Sequence, residues 1–538
     1  MPTKTLLPLL SLLGAACPLP AEPLPVLSFP IGVTREDKPI TGWFEPDSFE
    51  VGSPKKHVLV VAGLQAGDER SQSLARDLLR AHFASTTPKP FTLSVILDAN
   101  PDDVPTPPFP PTGKAYNDQK HPHALYLHRF LGAHGPDLVI DLRPSPKFLL
   151  RRTDDLGSGQ GKEAPAQVGY VPTLRVEAGG LAAPALYEKL QPLLRKLNPS
   201  PARLELQDRA KRSATNVARQ LAKVYGHDAK TQYIPALALV GRLRLSDLTD
   251  DTSHSQDVER LLRPYASGEK QALGRGVSGV NLAGHLALAE LALRSKDPTL
   301  VRLVEAAAQR AHESRKSPSS PVSGHNEMSD SVFMVCPILA AAHRLTGNAD
   351  HLAALLAHLR HLRKLCLRKD NLYRHSPLDE SAWGRGNGFP ALGLALVLSF
   401  LPEDSPARPE ILDAHLAHLK ALLRHQDHSG AFHQVVDRPQ SYRELTVTAM
   451  TTFALCRGLR KGWLDDKTFA TPAHKAWEAL KLRIAPDGSL LDVCAGTGKQ
   501  KNLRAYFDRP AILGRDSRGG AMALLAATEY AAWKKEKH

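Results

Sequence analysis

The feature that most constrains this chain is a change of hydrophobic period near residue 205. Before it, short β-like runs alternate with helical stretches: residues 57–62 (HVLVVA), 92–97 (TLSVIL), 138–142 (LVIDL) and 173–176 read as strands, and 72–81 as a helix. That alternation predicts an α/β unit. After Pro199 and Pro201, which mark a boundary, the strand pattern stops and helical spacing runs to the end. Leu352, Leu355, Leu356, Leu359 and Leu362 recur at three- and four-residue steps, as do Leu412, Leu416, Leu419 and Leu423, so each helix carries one apolar stripe. Residues 391–401 (ALGLALVLSFL) are apolar on every side, which suits a helix enclosed by others. About ten to twelve helical segments follow from this reading, with no strand among them, and they predict a toroid of inner and outer helices. The chain is expected to be multidomain: an α/β domain over residues 24–200, then an all-α barrel over 205–535.

Composition narrows the partners. The chain has 538 residues, 42% of them apolar and 23% charged, a balance that supports folded cores and excludes wholesale disorder. Lys and Arg (69) outnumber Asp and Glu (55), giving +14 spread along the sequence without a basic block. Nucleic acid is therefore not implied, whereas an acidic oligosaccharide fits the same bias. Residues 1–21 read as an export signal: Lys4, an apolar run over 6–16, then small residues. Cys17 after Gly-Ala-Ala resembles a lipoprotein acceptor, and a cut after Ala21 is the alternative. Nothing later is long and apolar enough to span a bilayer. The remaining cysteines, Cys336, Cys366, Cys456 and Cys494, match no zinc spacing. They are expected as buried thiols, with two disulfides as the other reading.

Three polar stretches stand out in the helical half. Asp330, in Ser329-Asp330-Ser331 before an apolar helix, reads first as an N-cap and second as a catalytic acid. Residues 373–389 combine Tyr373, Arg374 and His375 with Trp383-Gly384-Arg385-Gly386-Asn387-Gly388-Phe389. Glycines let backbone approach a ligand, a guanidinium can fork onto a carboxylate, and an aromatic ring can pack on a sugar face. A tight interhelical turn with a surface Arg is the plainer alternative. The third stretch, Gln426 to Asp437 with Ser441 to Glu444, holds the turn signal Asp427-His428-Ser429-Gly430 and His433. The helical pairs His358 with His361 and His415 with His418 have no convergent carboxylate or cysteine in sequence and read as solvated faces.

Taken together, SDSVFMVCPILAAAHRLTG (329–347), YRHSPLDESAWGRGNGFPALGLALVL (373–398), HQDHSGAFHQVVDRPQSYRELTVTAM (425–450) and DGSLLDVCAGTG (487–498) resemble glycoside hydrolase family 105, the unsaturated rhamnogalacturonyl hydrolases, with family 88 more distant. The resemblance implies an (α/α)6 barrel and no metal or cofactor. It also implies hydrolysis of the C4=C5 unsaturated uronyl end left by a polysaccharide lyase: one Asp protonates the vinyl ether and activates water for addition at C5, and the hemiketal opens to release the neighbouring sugar. On this resemblance Asp330 is the catalytic acid, for which burial predicts a raised pKa. His375, Trp383 and Arg385 line the sugar site and hold its carboxylate, with Phe389 and His433 as further substrate-binding positions. Asp379, beside Glu380, is an alternative acid. The pattern departs from the family at Phe389, where a second Trp is usual, and over 276–281 (GVSGVN), where a second acidic residue is usual and Asn281 or Ser278 would have to hydrogen-bond instead.

The N-terminal runs HVLVVAGLQAGDERS (57–71), LDANPDD (97–103) and DLVIDLRPSP (137–146) resemble the zinc carboxypeptidase fold. In that family two His and a Glu hold the metal. Here Gln65 and Arg143 stand at or near the His positions, leaving only Asp68 or Glu69, so a metal-free relative is expected. Two functions follow for test: an exported uronyl hydrolase, and a non-catalytic carbohydrate- or peptide-binding protein with two degenerate enzyme domains.

Overall fold

The computed structural model describes residues 24–105, 121–153, 168–274 and 276–537. The export signal with Cys17, and residues 106–113 of the proline-rich loop, lie outside the described residues. The N-terminal part is a seven-stranded mixed sheet built from β1 (Leu27–Val33), β2 (Pro39–Phe44), β3 (Lys56–Val61), β4 (Phe91–Ile96), β5 (Leu138–Arg143), β6 (Phe148–Thr153) and β7 (Thr173–Ala178), in the spatial order β1-β2-β4-β3-β5-β7-β6. The four strands read from sequence are β3, β4, β5 and β7, the parallel centre of the sheet. Continuous apolar runs such as KHVLVV are what strands covered on both faces require. The three strands missed are β1 and β2, paired antiparallel to each other, and β6, on the other edge. Edge strands such as β6 (FLLRRT) carry polar or exposed residues and so lack the buried-strand signal.

Alternation along β3 sorts the core into two layers. Val58 and Val60 face α1 (Glu69–Ala84) and, after α2 (Pro122–His134), α3 (Ala183–Leu194). Leu59 and Val61 face α2, through Leu127, Phe130 and Leu131. Asp68, weighed above as a surviving metal ligand, instead caps α1 by accepting from Ser71 N at 3.0 Å, and Gln65 is exposed. Arg143 and Arg175 fork onto buried Asp141 at 2.6 and 3.1 Å. Among the described residues no group of three or more His, Cys, Asp or Glu is placed to hold a metal.

Helix α4 (Pro201–Lys211) opens with Pro at its first position, capped by Ser200 Oγ accepting from Arg203 N at 3.0 Å. The barrel follows. Its inner ring is α6 (Tyr233–Thr249), α9 (Leu286–Ser295), α11 (Ser331–Thr346), α13 (Gly384–Phe400), α15 (Leu445–Arg460) and α18 (Ser517–Lys537), each packed on the next and α18 closing on α6. Outside stand α5 (Ala214–Ala222), α7 (Ser253–Ala266), α10 (Pro298–Glu313), α12 (Ala349–Cys366), α14 (Arg408–Leu423) and α16 (Asp466–Leu482). Short α8 (Gly279–Ala283) packs on α11. The all-round apolar run at 391–401 lies almost wholly in α13, which is buried along nearly its whole length, as an inner position demands.

Two expectations need correction here. The helical half contains a hairpin, β8 (Leu490–Cys494) and β9 (Ala511–Gly514), joined through α17 (Leu503–Phe507); two strands of four or five residues are too short to register against the helical pattern around them. The histidine pairs are not solvated faces, because His358, His415 and His418 are buried. His418 spans the carbonyls of Asn371 and Asn387 at 3.0 and 2.9 Å, and His358 joins Ser331 Oγ at 2.9 Å, so these rings tie outer helices to loops and inner helices. Cys336, Cys366, Cys456 and Cys494 are buried and free, as expected, with no disulfide among the described residues. No helix among the described residues is long and apolar enough to cross a membrane.

The sheet and barrel share one core. Phe44, Leu59, Tyr126 and Phe130 cluster with Trp383, Val435, Tyr442, Leu491 and Tyr506. Ion pairs cross the same seam: Arg129 to Asp492 at 3.0 Å, both buried, Arg504 to Asp37 at 3.1 Å, and Arg35 to Asp508 at 2.9 Å.

Candidate active site

Two inner helices, α11 and α13, begin at the same mouth of the barrel, and their first residues meet there. Asp330 immediately precedes α11, yet its side chain caps nothing, so the N-cap reading does not hold. A carboxylate capping the first turn would be stabilised by about 0.5–2 kcal/mol; Asp330 gives that up and turns toward His375, with Oδ1 3.5 Å from His375 Nε2. Neither atom has a hydrogen-bond partner. Asp330 is 7% exposed, and burial pushes its pKa up to about 7, with the charge of Arg385 opposing the rise. Desolvation thus outweighs the guanidinium.

His375 sits in the loop between α12 and α13. Its carbonyl accepts from Ser329 N at 3.0 Å, while Ser329 Oγ donates to Gly386 O at 2.7 Å, so Ser329 ties the first polar stretch to both ends of the second. Asn387 completes the lock: its amide accepts from Tyr373 N and donates to Tyr373 O, both at 2.8 Å, and to Trp383 O at 3.0 Å. Burial, then the charges of Arg385, His325 and Lys499, hold the His375 pKa down at about 3, so the ring is neutral at ordinary pH. Its Nδ1 lies 3.0 Å from the hydroxyl of Tyr506 in α17.

Trp383 packs on His375 with centroids 4.3 Å apart, and the Arg385 guanidinium lies 4.8 Å over the Trp383 ring. Arg385 donates from Nη1 to Cys494 O at 2.6 Å and from Nη2 to Ala495 O at 2.7 Å, which anchors it to the end of β8. A guanidinium carries five N–H donors, and these two bonds use two of them. Gly384 is required where it stands, because a Cβ there would come within 2.5 Å of the His433 carbonyl. Phe389 stacks on Phe333 at 5.3 Å and meets Tyr233 edge-on at 5.8 Å, one turn further into the barrel.

The structure therefore brings Asp330, His375, Trp383 and Arg385 together, with Phe389 below them. It does not bring His433 into this group. His433 Nδ1 meets Ser441 O at 2.7 Å and its Nε2 lies 3.6 Å from Asp427, on the side that faces the N-terminal sheet. Asp427 makes the predicted turn, accepting from Ser429 N at 2.9 Å, and also pairs with Arg443. Asp379 is only partly buried and accepts from Ser381 N at 2.8 Å, a local turn contact outside this group. Asn281 spends its amide on Thr231 O at 2.7 Å and Ala272 O at 3.2 Å. Sequence reasoning missed Tyr506, Tyr233 and His325. Each lies far along the chain from the residue it approaches, and a lone aromatic or His in a loop or helix end carries no local signal.

A closed double ring of helices, with the buried carboxyl of Asp330 at the mouth where α11 and α13 begin, defines an (α/α)-barrel protein. Solved structures share the frame: a possible member of the GH105 family from Klebsiella pneumoniae matches with a TM-score of 0.52 at 24% identity, covering 65% of this chain and 98% of that one. A possible member of the same family from Salmonella enterica matches with a TM-score of 0.51 at 23% identity, covering 64% and 98%. Residues 209–534, more than half of the chain, match Glycosyl Hydrolase Family 88, and the chain belongs to that family. Among curated proteins it is 32% identical over 148 residues to the unsaturated rhamnogalacturonyl hydrolase YesR of Bacillus subtilis, covering 26% of this chain and 41% of that protein. It is 27% identical over 155 residues to an unsaturated 3S-rhamnoglycuronyl hydrolase of an Alteromonas species, covering 28% and 36%. The matched stretches thus span less than half the length of these curated relatives.

Proposed function

We propose that this protein removes C4=C5 unsaturated uronyl residues from the non-reducing ends of lyase-generated acidic oligosaccharides such as rhamnogalacturonan. The observation that carries this reading is the buried carboxyl of Asp330, which caps nothing, unlike buried Glu444 at the start of α15, whose oxygens accept from Val447 N and Cys494 N; its pKa of about 7 makes both protonation states accessible at neutral pH. Asp330 as the acid delivers its proton to C4; the C4=C5 electrons form the new C–H bond, and the cation at C5 is stabilised by the ring oxygen. The resulting carboxylate takes a proton from water as the hydroxyl adds at C5. The hemiketal then opens and frees the next sugar. One carboxyl serves both steps, so the paired carboxylates of ordinary glycosidases are not needed. Arg385 holds the uronate carboxylate, Trp383 and Phe389 offer apolar faces to the sugar, and neutral His375 steadies the acid. The +14 net charge favours an anionic substrate.

The N-terminal sheet, on this reading, is a metal-free carboxypeptidase-like unit that braces the barrel, and the protein is exported, with Cys17 its lipid anchor if the signal is cut there. A binding protein without turnover is favoured by one observation: no carboxylate lies at residues 276–281, and Asn281 is engaged elsewhere. The decisive experiment is the ultraviolet absorbance of unsaturated disaccharides from lyase-treated rhamnogalacturonan, ulvan and glycosaminoglycans mixed with the protein. Bleaching of one of them is expected, since only loss of the C4=C5 bond removes the signal. No bleaching with any, together with measurable binding, would replace the enzyme by the binding protein.

A further inference from the structure

We infer that Tyr506 is a positioning residue: it holds His375 in the Nε2–H tautomer, so that this N–H faces Asp330 Oδ1 and the acid's proton is kept on Oδ2. The inference rests on the proposed reading of Asp330 as the acid. The Tyr506 hydroxyl is 3.0 Å from His375 Nδ1, and it accepts, at 3.4 Å, from the main-chain N–H of Gln500. With that N–H pointing at its oxygen, the phenol's own hydrogen is free to go to Nδ1. A neutral imidazole whose Nδ1 accepts must carry its hydrogen on Nε2. Nε2 has no other partner, and the atom it confronts, Asp330 Oδ1, has none either. Burial raises the Tyr506 pKa and lowers that of His375, so neither ring changes charge at ordinary pH and the arrangement persists when Asp330 titrates. The charged or titratable groups acting on the pair are Arg385 on Asp330, and Arg385, His325 and Lys499 on His375.

The placement of Tyr506 depends on the N-terminal sheet. Arg504, in the same short helix, donates to Thr34 O at 2.7 Å and pairs with Asp37 at 3.1 Å, and Asp508 pairs with Arg35 at 2.9 Å. The first domain therefore grips the helix that aims the phenol. Without the hydroxyl, His375 is free to place its bare Nε2 against Asp330, accept the acid's proton at Oδ1 and withdraw it from Oδ2.

The test is Tyr506→Phe in the full chain, read in two ways. Nitrogen-15 spectra of histidine-labelled protein, with His375 assigned by its loss in His375→Gln, should show the Nε2–H tautomer in the native protein and a mixed or reversed one in the variant. Kinetics on the bleached disaccharide should show kcat down on the order of tenfold or more with KM nearly unchanged. The alkaline limb of kcat should move to higher pH, because an accepting Nε2 favours protonated Asp330. An Nδ1–H tautomer in the native protein, or a folded variant with native kcat and pH profile, would overturn the inference. If the native protein bleaches no substrate, the proposed function fails while the tautomer spectrum still judges Tyr506. Should Tyr506→Phe not fold, Arg504→Gln loosens the grip from the half-buried side and should shift tautomer and pH profile in the same direction; no shift would count against it.

Discussion

On the proposed reading Asp330 concentrates the chemistry in one carboxyl, and its burial has consequences beyond catalysis. If it acts as the acid, Asp330→Asn should leave the fold intact and cut turnover by about 10²–10⁴-fold, measured by absorbance loss; a fully active variant would remove the assignment. Native activity should fall as pH rises through about 7, where the acid form disappears. Stability carries the same signature with a definite sign. The folded-state pKa lies above the ordinary value of 3.8, so between 3.8 and about 7 the folded protein holds more proton than the unfolded chain and loses stability as pH rises. Asp330→Asn should therefore melt above the native protein at pH 8 and level with it near pH 3.5. Arg385→Gln should mainly raise KM for an acidic sugar. Unchanged KM would leave Arg385 only its role at the Cys494 and Ala495 carbonyls.

Helices α11 and α13 must approach closely for their first residues to share a site. Gly393 permits it: a Cβ there would meet Phe333 Cα at 2.8 Å and Val332 O at 2.9 Å. Those contacts are backbone and cannot swing aside, so Gly393→Ala should destabilise by about 1–3 kcal/mol, read from the denaturant midpoint; a neutral result would mean the helices separate at little cost. Elements of this kind were legible beforehand. The inner helix over 391–401 and the parallel strands β3, β4, β5 and β7 have unmixed patterns because both faces are buried, so the solvent side adds no ambiguity. The β8–β9 hairpin and the edge strands were not legible, since their pairing depends on partners distant in sequence.

At the scale of the whole molecule, the sheet and barrel behave as one body because charge as well as apolar surface is buried between them. Arg129 and Asp492 are 6% and 4% exposed, and Asp492 has Arg483 as a second, more distant partner at 3.6 Å. Removing one member of a buried pair leaves the other desolvated, so Arg129→Ala should cost about 3–5 kcal/mol. Differential scanning calorimetry should show the loss as an earlier transition in which the two parts begin to separate. A single unshifted transition would mean that the Arg129–Asp492 pair adds nothing net to the seam.

The local sequence by itself determined where helices and central strands lie, and it marked Asp330, His375, Trp383 and Arg385 as candidates, because period and motif are properties of neighbouring residues. It could not decide whether Asp330 caps a helix or stands free, since both begin from the same Asp before an apolar run. Only the tertiary structure turned that side chain toward His375, sent His433 to the opposite side, and buried His358, His415 and His418. It also carried Tyr506, from a short helix gripped by the first domain, to the far side of the His375 ring. Those outcomes depend on which groups lose water together, and desolvation is set by the packed whole and not by any segment of the chain.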